Sequence, residues 1–216
     1  MAHYTAKYLR WAPKTAAGVA GTSFPTYGAV LNMGPLASVG ETINTVRAEN
    51  HGDGELQEFV DEFVSVALAC SVTEMPIDTA VAIYGATKNA SAGISFNLKD
   101  TPPEGVLGLI SGKQFKNEEG LQQKAYQGVV YPNVKGSRQG TTYNTKGSNI
   151  AFANANANFT GTAEENGYHC VMSGNFATEA EATAWVDKML KGGAEALAAA
   201  QEAEAAQAAQ EGQQTN

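Results

Sequence analysis

The sequence has little charge and few of the residues that metal or thiol chemistry requires. Charged residues make up 17% of its 216 residues, two are cysteine and three are histidine, and the net charge is −8. The acidic surplus excludes nucleic-acid binding through clustered lysine and arginine. No apolar run approaches the roughly 20 residues of a membrane span. The opening "MAHYTAKYLRW" has no apolar core, so we expect no signal peptide.

The residues that could carry chemistry are isolated from one another. His3, His51 and His169 have no partner at metal-ligand spacing, and on a strand His169 faces away from Cys170. Cys70 and Cys170 lie in apolar runs typical of buried free thiols. Nucleophile-elbow, phosphate-loop and dinucleotide motifs are missing. The sequence therefore predicts no enzyme, no cofactor and no metal site.

Glycine and short apolar runs dominate the rest of the sequence. The 23 glycines fall mostly between such runs, which predicts many strands and turns and a mainly β (α+β) fold. We expect one β domain over residues 1–192, including a long loop at 14–40. Residues 193–216 are rich in Ala, Gln and Glu and predict a tail, helical or disordered, with little to pack against.

Alternating polarity marks the strongest predicted strand, "EFVSVALACSVTEM" at 62–75. Its inward face is expected to carry Val64, Val66, Leu68, Cys70 and Val72. The other predicted strands are 6–13, 41–50, 92–100, 124–136, 149–162 and 168–174. Pro132 in the strand 124–136 indicates an edge, a bulge or a corner. A turn is predicted at 51–55.

Two short helices are predicted from capping-box spacing. Thr101 and Glu104, with Pro102 at the first helical position, predict a helix over 101–112. Thr178 and Glu181 predict a second helix, with Trp185, Met189 and Leu190 in the core and an end at Gly192 and Gly193.

The segment "NIAFANANANFTGT" (149–162) alternates small apolar residues with neutral amides. A period of two predicts an extended strand with two different faces. Asn154, Asn156, Asn158 and Thr160 share one face, and alanines with Phe159 share the other. Such a strand allows close packing on one side and a wet surface on the other.

The segment "GVVYPNVKGSRQGTTYNTKGSNIAFANANANFTGTA" (128–163) resembles the major tail tube proteins of long-tailed, non-contractile bacteriophages. The matching motifs are the aromatic-Pro-x-Val-Lys strand at Tyr131–Lys135, the Thr-Lys-Gly turn at Thr145–Gly147 and the Thr-Gly-Thr motif at Thr160–Thr162. "VRAENHGDGELQEF", "TPPEGVLGLISGK" and "KYLRWAP" are similar to further family segments. The similarity covers most of residues 4–190 in order, but the Ala/Gln/Glu tail has no counterpart.

This resemblance implies a β-sandwich or barrel-like body whose subunits form hexameric rings stacked into a hollow tail tube. The implied partners are other copies of the chain, a tape-measure protein and other tail proteins, and passing DNA contacted weakly; no membrane partner is expected. The implied location is the virion tail, with assembly in the host cytoplasm. The first-choice lumen residues are Asn154, Asn156, Asn158 and Thr160, on the 149–162 strand with its pairing partner. The second choice is the strand 59–73.

Other interpretations remain open at this stage. The acidic residues Asp53, Glu55, Glu58, Asp61 and Glu62 predict a solvated, charge-repelling surface, although paired carboxylates could also serve a hydrolase. A non-catalytic β-sandwich binding module is a second alternative. A tail terminator or a capsid decoration protein of related fold is a third.

Overall fold

The computed structural model describes residues 2–52, 55–91, 93–116, 122–140 and 153–202. Its strands, in chain order, are β1 (Ala2–Ala16), β2 (Phe24–Tyr27), β3 (Leu31–Asn32), β4 (Leu36–Gly52), β5 (Glu55–Val72), β6 (Thr87–Lys88), β7 (Ile94–Ser95), β8 (Glu104–Lys116), β9 (Gln122–Arg138), β10 (Ala155–Gly161) and β11 (Val171–Met172). The helices are α1 (Ile77–Tyr84) and α2 (Glu179–Lys191), and residues 193–202 are also helical. The predicted mainly β fold is confirmed.

One curled antiparallel sheet forms the body of the protein. Its strand order is β2-β1-β8-β9-β10-β5-β4, with β3 added to β1 and β11 added to β9. The curl brings β4 at one end of the order near β1 at the other. The sheet therefore has a concave inner side and a convex outer side, and each side is either covered by other elements or exposed to solvent.

The concave side encloses the larger core. Its fully buried members include Trp11, Leu68, Leu107 and Phe159, and α1 contributes Ile83. Predicted inward residues of β5 from Val66 to Val72 lie in this core. Helix α1 closes one part of it and ends at Gly85, whose left-handed φ of 63° suits glycine. This core holds the barrel-like body together.

A second core lies on the convex side, where α2 covers β1, β8 and β9. Val106 and Ile110 of β8 pack there against Val186 and Leu190 of α2. The predicted capping box of α2 is confirmed, because Thr178 Oγ1 accepts from the Glu181 backbone N–H. Helix α2 thus covers β1, β8 and β9 on the convex side.

The predicted tail helix packs better than expected. Helical residues 193–202 begin at the glycines after α2, and four of their side chains join the convex core: Ala196, Leu197, Ala199 and Ala200. The prediction that this segment has little to pack against is wrong for these residues. Small alanine side chains let a helix approach the surface closely, so one leucine suffices as an anchor. Residues 203–216 lie outside the described part of the chain.

Three predictions of local structure are wrong. Residues 101–112 are not a helix, because β8 runs from Glu104 to Lys116. Residues 14–40 are not one long loop, because β1 continues to Ala16 and β2, β3 and β4 follow within that range. The predicted strand 92–100 is reduced to β7 (Ile94–Ser95), and Leu98 is fully exposed.

The proline in β9 sits in a bulge, which is one of the predicted options. Gly105 pairs with Val134 and Leu107 with Tyr131, so one residue of β8 opposes two of β9, Pro132 among them. A bulge tolerates proline, which has no backbone N–H, because a residue in the bulge donates no hydrogen bond to the neighbouring strand.

Close packing between β9 and α2 depends on glycine at position 128. A Cβ built there would lie 2.5 Å from Trp185 Cε3 and 2.8 Å from Val186 Cγ2. We expect Gly128→Ala to lower the free energy of unfolding by about 1–3 kcal/mol, measured by chemical denaturation, because α2 must move away. Gly140→Ala is the control, since nothing lies within 4 Å of its Cβ position. Equal stabilities of the two variants would contradict the close contact.

Candidate assembly surface

Three neighbouring strands leave a bare, uncharged surface on the convex side, which we call the neutral face. The register aligns Ser71 with Ser38 and Asn156, and Ala67 with Thr42 and Thr160. The members of the neutral face are Ser38, Gly40, Thr42 and Asn44 of β4, Ser65, Ala67, Ala69 and Ser71 of β5, and Asn154, Asn156, Asn158 and Thr160 at β10. All are exposed or half-buried, and all are small or neutral.

The predicted two-faced strand at β10 is present in the structure. Ala157 and Phe159 are buried in the concave core, whereas Asn156 and Thr160 are exposed. Asn154 Nδ2 donates to Ser71 Oγ at 3.2 Å, so an amide and a hydroxyl satisfy one another across the strands. Residues 149–152 of the predicted strand lie outside the described residues.

The two alternative lumen strands of the sequence analysis turn out to be neighbours. Residues 155–161 of β10 pair with residues 66–72 of β5, and their outward side chains belong to the same neutral face. Residues 59–63 of the second choice lie elsewhere. The structure thus brings most of both candidate sets together on one surface.

Beyond the sheet, β4 and β5 continue as a two-stranded arm over residues 45–52 and 55–63. Partners β10 and β4 flank β5 from Val66 to Val72, but below that point only β4 pairs with β5. A register shift between Asn44 and Thr45 marks the base of the arm. This bulge reverses the alternation, which is why Val64 is 51% exposed although it was expected to point inward.

Large apolar side chains are exposed on this arm. Val46 is 61% exposed, Phe59 58% and Val60 46%. Apolar residues presented on both sides of a two-stranded ribbon are characteristic of a surface that associates with another protein.

The predicted acidic surface belongs to the arm. Glu55, Glu58, Asp61 and Glu62 are exposed on β5, and none of them has an ion pair among the described residues. Asp53 lies outside the described residues. These carboxylates are strung along a protruding ribbon and line no cleft, so their arrangement favours a charged surface over a paired acid–base site.

Two long strand edges lack a strand partner among the described residues. Strand β4 pairs with β5 on one side only, along its whole length. Strand β1 pairs with β8 from Ala2 to Pro13. On its other side β2 and β3 reach only residues 10–16, which leaves residues 2–8 open. Exposed edges invite pairing with another chain, and β4 carries neither proline nor lysine to prevent it.

The curled sheet does not close between these two edges, and a cavity of about 500 Å³ lies in the gap, which we call the seam cavity. Its walls are His3, Thr5 and Ala6 of β1, Ser38, Val39 and Glu41 of β4, Leu109, Ser111 and Lys113 of β8, Gln127, Val129 and Tyr131 of β9, and Met172 of β11. It is the place where a barrel-like sheet remains incomplete.

Polar groups of the seam cavity are only partly matched. His3 Nδ1 and Ser111 Oγ are 2.6 Å apart. Burial lowers the pKa of Lys113, and burial followed by the charge of Lys113 lowers the pKa of His3. Gln127 is 5% exposed and donates to the Ser173 carbonyl at 2.6 Å, but its Oε1 has no hydrogen-bond partner among the described residues. The cavity therefore offers a cation, Lys113, to a group that enters it.

The thiols are unsuited to reaction. Burial raises the pKa of Cys70 to about 12, and burial, with Glu41 adding to it, raises that of Cys170 to about 12. A thiol that stays protonated at neutral pH is a poor nucleophile and a poor metal ligand. Within the described ranges no group of three His, Cys, Asp or Glu side chains could hold a metal ion.

Comparison with known proteins gives no family. No protein-family model matches the sequence, and no curated protein matches it either. Among the helices that the structure describes, none has the length and apolar character that crossing a membrane requires.

Sequence reasoning missed the arm, the open edge of β1 and the seam cavity. The acidic segment 53–62 was recognised as a surface, but its position on a protruding ribbon depends on where β10 stops pairing with β5. That endpoint is a long-range property with no local signal. The apolar residues of the arm alternate with carboxylates along β4 and β5, so the sequence did not indicate that they form an exposed apolar set.

Proposed function

We propose that the protein is a non-catalytic structural subunit that assembles with copies of itself into stacked hexameric rings, forming a phage tail tube that conducts DNA. The observation that carries this proposal is the pair of open strand edges, on β4 and on residues 2–8 of β1. They lie at opposite ends of the strand order but face each other across the seam cavity, so a segment of the next copy that enters this gap can pair with an open edge. Such a head-to-tail contact closes into a ring when the rotation between copies fits.

The neutral face supports a lumen lining. Together with Lys135 and Ser137 of β9 it spans four strands, and at about 4.8 Å per strand each subunit supplies about 19 Å of wall. Six such walls close a circle about 37 Å across between backbones, which admits duplex DNA. Helix α2 covers the convex side of β1, β8 and β9, leaving the neutral face as the wet part of that side.

The lack of cations on the neutral face also suits the passage of DNA. DNA is held on proteins mainly by cations that neutralise phosphates. The neutral face has no cation, and its neighbour Lys135 pairs in register with Glu104. Asparagine, serine and threonine keep such a wall wet without attracting the phosphate backbone.

Adding positive charge to the neutral face tests the lumen assignment. We expect Asn154→Lys with Asn156→Lys to leave assembly intact and to make the tubes retain duplex DNA at about 50 mM salt, with the retention lost by about 200 mM. Cosedimentation of linear DNA with tubes measures it. Ala90→Lys with Ser91→Lys adds the same charge on the exposed turn between β6 and β7 and is the matched control. Equal retention by both variants would place the lumen elsewhere.

A further inference from the structure

The arm has one face whose charges are unmatched. Cross-strand pairing places Val46 beside Glu62, Ala48 beside Val60, and Asn50 beside Glu58, so an apolar centre is flanked by two carboxylates. The described residues of that face include no cation. We call these six residues the acidic apolar face of the arm.

The opposite face of the arm carries a cation beside its carboxylates. Arg47 Nε lies 2.8 Å from Glu49 Oε1, its guanidinium sits 4.8 Å from the centroid of Phe59, and His51 lies near Glu49. These exposed pairs are worth little energy, but they give the opposite face a cation of its own, whereas Glu58 and Glu62 on the acidic apolar face have none among the described residues.

The seam cavity has the complementary arrangement. Leu109, Val129 and Met172 supply an apolar wall, and Lys113 contributes an ammonium group that has no ion pair among the described residues. The lining also holds one carboxylate, Glu41, which adds to burial in raising the pKa of Tyr131. A carboxylate beside Lys113 would offset the desolvation of its charged form.

We propose that the acidic apolar face of the arm docks in the seam cavity of a second copy of the chain. This inference rests on the proposed self-assembly and names the surfaces that make it. The arm of the same copy does not fill the cavity, because Val46 and Val60 remain 61% and 46% exposed. Each copy carries one arm and one cavity, so the contact is heterologous and repeats without limit unless a ring closes.

Charge exchange between the two surfaces tests the docking. We expect Lys113→Glu alone, and Glu58→Lys with Glu62→Lys alone, each to raise the concentration needed for assembly by about tenfold or more, because like charges meet. All three substitutions together restore assembly to within about threefold of the unaltered protein. Sedimentation over a concentration series measures it, and Lys99→Glu in an exposed loop is the control of equal charge.

Folding and docking are separated by a second measurement. Thermal unfolding shows whether each variant is folded, and a chain with Glu62→Cys and Lys113→Cys reports the contact directly. Under mild oxidation we expect disulfide-linked ladders of three or more chains from this variant, because either single cysteine variant can link no more than two chains. The native thiols are at least half-buried and do not compete.

The outcomes distinguish this docking from the tube itself. Normal tubes from folded Lys113→Glu, or no recovery in the triple variant, overturn the docking and leave the proposed function standing. If the unaltered protein forms no tubes, the proposed function fails, while the engineered thiols still decide the docking: linked ladders of three or more chains support it, and their absence refutes it.

Discussion

Replacing Phe159 with alanine is expected to lower the free energy of unfolding by about 3–5 kcal/mol, the largest single effect on stability that we predict. Phe159 is 1% exposed in the concave core, opposite Leu68 on β5 and Gly136 on β9. Its removal leaves a cavity between two paired strands that cannot collapse without breaking their ladder. At about 2–4 °C per kcal/mol, the midpoint of thermal unfolding falls by roughly 10 °C.

Asn156→Ala is the matched control on the same strand. Asn156 is exposed on the neutral face, so its truncation should change the free energy of unfolding by less than about 0.5 kcal/mol. The pair of variants tests the two faces of β10 by denaturant unfolding. A comparable loss in both variants would mean that the asparagine side of β10 is buried and is no free surface.

Deleting the arm is expected to abolish assembly while leaving the monomer folded. Residues 46–62 are replaced by Asn-Gly, which joins Thr45 and Phe63, partners across the ladder, by a two-residue hairpin turn. The shortened chain loses exposed apolar residues that belong to neither core. We therefore expect an unfolding midpoint within a few degrees of that of the intact protein, and only monomers at concentrations where the intact protein forms rods.

Conversion of the arm carboxylates to amides provides the control for charge. Glu55→Gln with Asp61→Asn keeps the ribbon and its length while changing two residues outside the acidic apolar face. Rods should still form from this variant. Rod formation by the arm-deleted chain would show that the open edges alone drive assembly.

Strands with one wet face were predictable from the sequence. The alternation in 62–75 and in 154–160 correctly gave two strands and their inward residues, because each has a core on one side only. It also placed Asn156 and Thr160 outward. The prediction that Val64 points inward was wrong because a bulge changes the alternation locally. A bulge leaves no signal in the residues themselves.

Strand β8 could not be predicted in this way because it is buried on both faces. Leu107 and Leu109 point into the concave core, and Val106 and Ile110 into the convex one. The result is a continuous apolar run, which periodicity cannot distinguish from a buried helix. The capping-box spacing of Thr101 and Glu104 then favoured the wrong choice.

Helix α1 was missed although the sequence carries its limits. Pro76 stands at the N-cap and Gly85 at the C-cap, as expected at the ends of a helix. The segment 14–40 was called a loop because glycine and proline are frequent there. Its strands are short, and Phe24 and Met33 are buried against elements far away in the sequence, so only tertiary packing defines them.

The residue types of the assembly surface were predictable from the sequence, but their arrangement in space was not. The neutral amides and the carboxylates were both recognised as surface groups from their residue types. That the two open edges lie at opposite ends of one curled sheet, with a cavity between them, depends on pairing over long sequence distances.

Self-assembly is tested most directly by negative-stain electron microscopy of the purified protein over a series of concentrations. If the protein is a tail tube subunit, we expect rings of six subunits that stack into hollow rods as the concentration rises. Single rings that never stack would favour a tail terminator. A protein that stays monomeric at every concentration and salt condition would contradict self-assembly into a tube.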